Sequence, residues 1–323
     1  MAKMIKKSGQ RGIALIVVLC MTSIMVAAAV QMISQTRREI TETTNLRDGL
    51  QALYLARSGV AFSEASLNAE KTNYDGLDQP WADAKTWSAR FNALIEEGQS
   101  YIVIEDETGK IPINFLINKD GAENAEIRNL LVRFLNLPEW NLTEEQSGII
   151  VDSIKDWMIS NSQPSEGSDS SDTESEPQRK GPFRFPEEIL KTGAVSRDLL
   201  YGTAGKPGLC AYVTLYGKGK ININTAPGPV LMALFPGISK DTLEQIDFSR
   251  RRGEAKLDDP AWYRQVIGTS GLNPASELIM TRSEAFRITS TGVLGSCRRT
   301  VTGILEKDGK SEKFKLRFLY GNS

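Results

Sequence analysis

Between Ile13 and Ile33 the chain runs for 21 residues without a charge (IALIVVLCMTSIMVAAAVQMI). As a helix that run spans about 31 Å, the thickness of a bilayer's hydrocarbon core. Lys3, Lys6, Lys7 and Arg11 precede it, which keeps that end cytoplasmic and sends the rest outward. Ala27-Ala28-Ala29 offers one reading, the small-residue cleavage site of a secretory signal. Against it, no Gly or Pro occurs between Ile13 and Asp48, so nothing stops a helix at the membrane face. Leu46, Leu50, Leu53, Val60 and Leu67 then recur at helical spacing. The better reading is one long helix whose far half packs on a soluble domain.

The charge balance is 39 Lys+Arg against 40 Asp+Glu. Without the first 12 residues it becomes 35 against 40, a net of −5. An acidic surface argues against nucleic acid as a main partner, because phosphate binding needs a basic one. There is no histidine, which removes the commonest general base and metal ligand. No nucleophile and base stand together, and the chain reads as a non-enzyme. Cys20 lies in the apolar run, leaving Cys210 and Cys297 for the soluble part. A Cys210–Cys297 bridge and two separate buried thiols are equally open readings for an exported chain.

Past the long helix, Tyr74 to Trp87 reads as a loop leading to a short helix around Ala89–Glu96. SYIVIEDETGKIPIN (Ser100 to Asn114) has β-branched residues around Thr108-Gly109 and reads as a hairpin or strand pair. Ile127, Leu130, Leu131, Phe134 and Leu135 form one apolar helical face. Thr143-Glu144-Glu145-Gln146 is a capping-box pattern opening a second helix through Ile150, Ile154 and Trp157. The acidic run from Asn161 to Pro182 has no apolar side chain larger than proline and reads as a flexible loop. Its oxygens allow calcium, but the EF-hand register is missing, so no metal ligands are assigned and no other cofactor is expected. FPEEILKTGAV resumes helix, and CAYVTLYGKGKININ has strand-like residues around a Gly217–Gly219 turn. The last segment alternates like two or three antiparallel strands.

The strongest local motif is KININTAPGPVLMALFPGISKDTLEQIDFSRRRG (Lys220 to Gly253). Asn222 and Asn224 flank Ile223 in a strand, and Pro227 or Pro229 suits a first helical turn. Val230, Leu231 and Leu234, the turn Pro236-Gly237-Ile238, then Leu243, Ile246 and Phe248 make a helix-hairpin-helix pattern. Arg250, Arg251 and Arg252 would offer charge to DNA phosphates, while Asp241, Glu244 and Asp247 would repel them. The favoured reading is a small helical core with the arginines at a solvated helix end. A membrane-anchored DNA-binding protein is the alternative.

A basic leader ending in glycine, then an apolar helix running into the soluble domain, resembles type IV pilins and type II secretion pseudopilins. ININTAP after a strand, an inserted helical domain, the ARSG-x-A-x-x-x-A pattern (Ala56 to Ala65) and DETGKIPIN narrow the resemblance to the K-type minor pseudopilins (GspK). The resemblance implies that prepilin peptidase cuts between Gly12 and Ile13, the new terminus is methylated, and the apolar helix is kept. Most members carry glutamate at the fifth mature position, and here it is Val17. A buried carboxylate costs about 2.5–3.5 kcal/mol on the insertion scale. In the family its partner is thought to be the preceding subunit's terminal amine, which a first subunit lacks. The absence fits a filament tip, and equally a lone signal-anchor helix. Members often have further acids after a D-x-x-x-D-W segment. Here Asp156-Trp157 is followed by Met158-Ile159-Ser160, so no metal site is carried over.

The expected fold is α+β: a pilin-like long helix on an antiparallel sheet, with a large inserted all-α domain containing the hairpin. The expected division is a leader at 1–12, a membrane helix at 13–33, and the pilin-like helix and first strands at 34–117. The helical insertion with its acidic loop at 161–182 covers 118–275, and terminal strands cover 276–323. The resemblance further implies a tip subunit of the type II secretion pseudopilus, single-pass in the inner membrane, its C-terminal domain periplasmic. It would bind the I-type and J-type minor pseudopilins and promote assembly for protein export. A minor type IV pilin is the remaining alternative.

Overall fold

A computed structural model describes residues 10–159, 181–253, 255–266, 268–269, 271–272 and 274–322. Helix α1 (Gln10–Ala69) is continuous over 60 residues, about 90 Å. Every residue from Ile13 to Arg47 is exposed, and the helix touches the sheet from Asn45 onward.

The packed stripe of α1 is Gly49, Ala52, Ala56, Gly59, Val60, Ser63 and Leu67. This departs from the leucine face expected from the sequence. Leu46 is 66% exposed and Leu50 49% exposed, and Leu53 is only partly buried. Small residues win because they let the helix backbone settle onto the sheet. A Cβ on Gly59 would stand 2.3 Å from Ser290 Oγ, and one on Gly303 would stand 2.7 Å from Val60.

The sheet has the order β1-β8-β9-β10 and is antiparallel throughout. Strand β1 is Gln99–Asp106, β8 Ala285–Leu294, β9 Cys297–Lys307 and β10 Phe314–Asn322. Ile102 and Ile104 alternate inward with Ser100, as a half-buried strand requires. They join Trp87, Phe91, Phe286, Ile288, Val301 and Leu305 in a core that α1 closes with Ala56, Val60 and Leu67. Helix α2 (Ala84–Asn92) is capped by Asp83, which accepts from the Lys85 and Thr86 amides. It starts five residues earlier than the sequence reading placed it, because that cap and Pro80 fix the entry.

A second buried cluster runs from Ile111 to Ile279. It holds α3 (Ala125–Leu135), α4 (Glu144–Ile159), α5 (Arg197–Tyr201), α6 (Gly228–Leu234) and α7 (Lys240–Arg252). The expected α3 face is fully realised: Ile127, Leu130, Leu131, Phe134 and Leu135 are all buried. The capping box before α4 also forms. Gln146 N donates to Thr143 Oγ1 at 3.2 Å, and Thr143 N donates to Gln146 Oε1 at 2.9 Å.

Short strands pair within the second cluster. Strand β2 (Ile111–Pro112) lies parallel to β5 (Val213–Thr214), and β6 (Ile221–Asn222) parallel to β7 (Ile279–Met280). Strands β3 (Gly202–Thr203) and β4 (Lys206–Pro207) form a small hairpin. Ser100–Asn114 and Cys210–Asn224 thus each form two strands, as their residues suggest, but neither closes on itself as a hairpin. Strand β1 pairs with β8 instead, and β5 and β6 take separate partners. Phe185–Val195 forms a 3-10 turn (Pro186–Thr192) rather than an α-helix.

Candidate functional site

Among the described residues, α1 is the one helix long and apolar enough to cross a membrane. An 18-residue window of it reaches mean hydropathy 2.8, with none of that window buried. The Gly12–Ile13 bond lies in its first turns, and Val17 projects from the same exposed run.

The ININTAP segment sits where the two cores meet. Asn222 and Asn224 are both fully buried. The Asn222 amide nitrogen has three oxygens at 3.0 Å: the Asp75 carbonyl, Asp106 Oδ2 and Ser283 Oγ. Its carbonyl oxygen accepts from Asn224 N at 3.1 Å. Asn224 donates to the Leu257 carbonyl at 2.9 Å and accepts from Trp262 Nε1 at 2.7 Å. These amides therefore knit strand, sheet end and downstream loop together. They do not cap α6, which begins behind Pro227 with no side-chain cap.

Two acids at the end of β1 complete the junction. Asp106 Oδ2 also accepts from Thr225 Oγ1 and Ser283 Oγ, each at 2.6 Å. Burial pushes its carboxyl up to about 6, against the pull of the Ser283, Thr225 and Thr108 hydrogen bonds. Asp75, receiving Ser283 N at 2.7 Å, is also raised by burial. Glu107 is fully buried beside Lys110 Nζ (2.6 Å) and Arg287 Nε (2.7 Å) and accepts from Thr214 Oγ1 at 2.7 Å. Burial alone would raise it; the two cations outweigh that and hold it below the ordinary glutamate range. Sequence reasoning missed both acids. For Asp106 the signal was strand parity, since Ile102, Ile104 and Asp106 share one face.

The helix-hairpin-helix folds as expected in outline, with Val230, Leu231, Leu234 and Ile246 buried. Its arginines are not a set. Arg250 is 3% exposed and donates to the carbonyls of Ile223 (3.2 Å) and Ala226 (2.7 Å). Both Arg250 and Arg251 pair with Asp247, and Arg252 stacks on Phe248 at 4.4 Å. Arg251 and Arg252 lie at an exposed helix end, as expected, but Arg250 does not, so the triplet is not a free phosphate clamp. Arg250 is a buried strut for the ININTAP loop.

Cys210 and Cys297 are not brought together. Cys210 lies near Glu107 and Arg287, its thiol pushed up to about 11 by burial. Cys297 pairs with Leu294 at the far end of β8, about 23 Å along the strand from Arg287. Its sulfur lies 3.4 Å from the Asn45 carbonyl oxygen instead. Among the described residues no three acids or cysteines cluster as metal ligands would. Nearly all of the acidic run at 161–182 lies outside the described residues.

Comparison with known proteins points in one direction. The model described as "Type II secretion system (T2SS), protein K" matches residues 221–274, the segment that builds the junction and hairpin. The type II secretion system protein K of Pseudomonas aeruginosa is 25% identical over 94% of this chain and 91% of its own length. The chain resembles type II secretion protein K over nearly its whole length. Protein K of Klebsiella pneumoniae is 28% identical over 48% of this chain and 47% of its own. In fold, the protein resembles a chain from the crystal structure of the GspK-GspI-GspJ complex of enterotoxigenic Escherichia coli. The TM-score is 0.58 at 16% identity, covering 87% of this chain and 99% of that one. These likenesses support a minor pseudopilin, and the family model falls on the segment that carries Asn222, Asn224 and the hairpin.

Proposed function

We propose that this protein is the tip subunit of a type II secretion pseudopilus. In this reading it assembles with I-type and J-type minor pseudopilins and helps start the filament. The observation that carries it is the pairing of a bare apolar helix with a broad helical insertion fixed rigidly to the sheet. A helix exposed from Ile13 to Arg47 has its whole circumference free for neighbouring subunits. The insertion, locked by Asn222, Asp106 and Glu107, adds bulk that disfavours another subunit above it. Prepilin peptidase would cut between Gly12 and Ile13, leaving the helix single-pass in the inner membrane and the folded part in the periplasm. Val17 leaves no carboxylate to seek a preceding subunit's amine. The role is structural, with no reaction assigned.

The test is reconstitution. The region from Leu46 to Ser323, which keeps the whole packed stripe of α1, is mixed with the I-type and J-type ectodomains of the same organism. Light scattering after size exclusion should show a ternary species. Three separate proteins at tens of micromolar would remove the tip reading.

A further inference from the structure

The two edges of the sheet are finished differently. Side chains of α2 seal the outer edge of β1. Ser88 Oγ accepts from Ile102 N at 2.8 Å. Asn92 Oδ1 accepts from Ser100 N at 2.8 Å, and its Nδ2 donates to the Ser100 carbonyl at 3.1 Å. On the opposite edge, Asn68 of α1 clips Phe314 in the same way, with both bonds at 2.8 Å. Beyond Phe314, among the described residues, no hydrogen bond reaches the outer edge of β10.

Exposed strand edges pair with other chains, and proteins blunt them with charge and bulges. On β10 both devices sit in the first half, as Lys315 and then a bulge at Arg317. From 318 to 322 the register with β9 runs unbroken and no charge occurs. Leu319 and Tyr320 are 41% and 44% exposed there. This stretch offers unpaired main-chain groups over about 17 Å. Beside the bulge lies a hollow of about 500 Å³, lined by Phe185, Tyr216, Phe318, Arg184 and Arg317. The Phe318 ring is 6.1 Å from Phe185 and 6.3 Å from Tyr216. Glu306 is the acid in the lining. It reaches Arg317 only at 3.8 Å, and Arg184 has no ion pair among the described residues.

We propose that the outer edge of β10 accepts an extended strand from another polypeptide, with an acidic side chain directed to Arg184 and Arg317. Strand addition takes its affinity from main-chain hydrogen bonds and its specificity from pockets for alternate side chains. Residues 318–322 provide the first and the hollow provides the second. The unpaired amides and carbonyls name the occupant as polypeptide in extended form. Two guanidiniums against one carboxylate, with Lys315 on the same strand, name its charge as negative. An apolar neighbour of the acid would pack on Phe185 and Phe318. The fold closes strand edges with amide and hydroxyl side chains at β1 and at Phe314, so the open stretch of β10 stands out from its own surroundings. This inference does not rest on the tip reading, because a strand can dock here whichever subunit lies above or below.

The test uses the full chain in detergent. The fluorescein-labelled, amidated peptide Glu-Val-Thr-Val-Thr-Glu is titrated to about 1 mM. An acid at each end lets either strand direction bring one to Arg317. One control replaces both glutamates by lysine. The other is the acidic peptide N-methylated on every internal amide, which keeps its charge and side chains but cannot extend a sheet. The acidic peptide should bind and slow hydrogen exchange of the backbone amides at 318–322. The lysine peptide should bind about two- to fivefold more weakly, and the methylated one at least about tenfold more weakly. Arg317→Glu, at a side chain 66% exposed, should reverse the preference between the acidic and lysine peptides. No binding of the acidic peptide, equal binding of the methylated one, or protection confined to other elements would overturn the proposal. Self-association of the chain that protects the same amides would give the edge to a second copy and overturn it as well.

Discussion

Gly292 of β8 lies directly against the backbone of Ala52 in α1. A Cβ on it would stand 2.0 Å from the Ala52 carbonyl oxygen and 2.8 Å from the Ala56 nitrogen. Neither atom can swing away as a flexible side chain would. Gly292→Ala should therefore lift the helix and destabilise the soluble region by about 1–3 kcal/mol. Gly148, within α4, has nothing within 4 Å of its would-be Cβ. Gly148→Ala should stabilise by about 0.5–1 kcal/mol. Thermal melts of the two variants should move in opposite directions; a wild-type melt for Gly292→Ala would contradict the close approach.

The junction should grow firmer in mild acid. Asp106 titrates near 6 in the folded protein, above its ordinary value of 3.8. A raised folded-state value means that its contribution is complete below the unfolded value and is lost as pH climbs through about 6. Asp75 shifts the same way. Glu107 shifts downward, so its contribution fails only at lower pH, outside this window. The melting temperature should rise from about pH 7.5 to about pH 5. Asp106→Asn should flatten that rise, and an unchanged profile in the variant would count against the assignment.

Arg250 is expected to behave unlike its neighbours. Removing it strands the Ile223 and Ala226 carbonyls that it serves, at about 2–3 kcal/mol. Arg251 is 57% exposed at its side chain, and exposed pairs contribute about 0–1 kcal/mol. Arg250→Ala should lower the denaturation midpoint clearly, whereas Arg251→Ala should barely move it. Equal effects would return the arginines to a shared surface role.

The processing reading is settled by one mass. Protein isolated from membranes should begin at Ile13 with a methylated amine. A mature terminus near Val30 would mean a discarded signal, and the exposed helix would then have no part in the working protein.

The sequence foretold elements better than it foretold their contacts. The α3 face, the Thr143–Gln146 box and the alternating C-terminal strands were legible because each depends on neighbours a few residues away. The packing face of α1 was legible only at Val60 and Leu67. Hydrophobic periodicity points to Leu46 and Leu50, whereas close approach selects Gly49, Ala52, Ala56 and Gly59. Apolarity and tightness are separate properties, and only the first is visible in a side-chain pattern. The junction was half legible. ININTAP stood out as a motif, but its polar partners Asp106 and Ser283 are 177 positions apart, and no local rule joins them. Arg250 misled for a related reason: three consecutive arginines look alike in a string, yet the helix turns one of them inward.

The strand order has a consequence for how the chain comes together in time. Strand β1 finds its hydrogen-bonding partner only in β8, so its edges wait while the whole intervening stretch is made. Closing so long a loop from a disordered chain is slow. An insertion that folds first brings Asn222 and Ser283 to within reach of Asp106, and the long loop then behaves as a short one. An insertion folded first would act as a clamp, and late sheet closure would leave α1 without a seat until the last strands arrive.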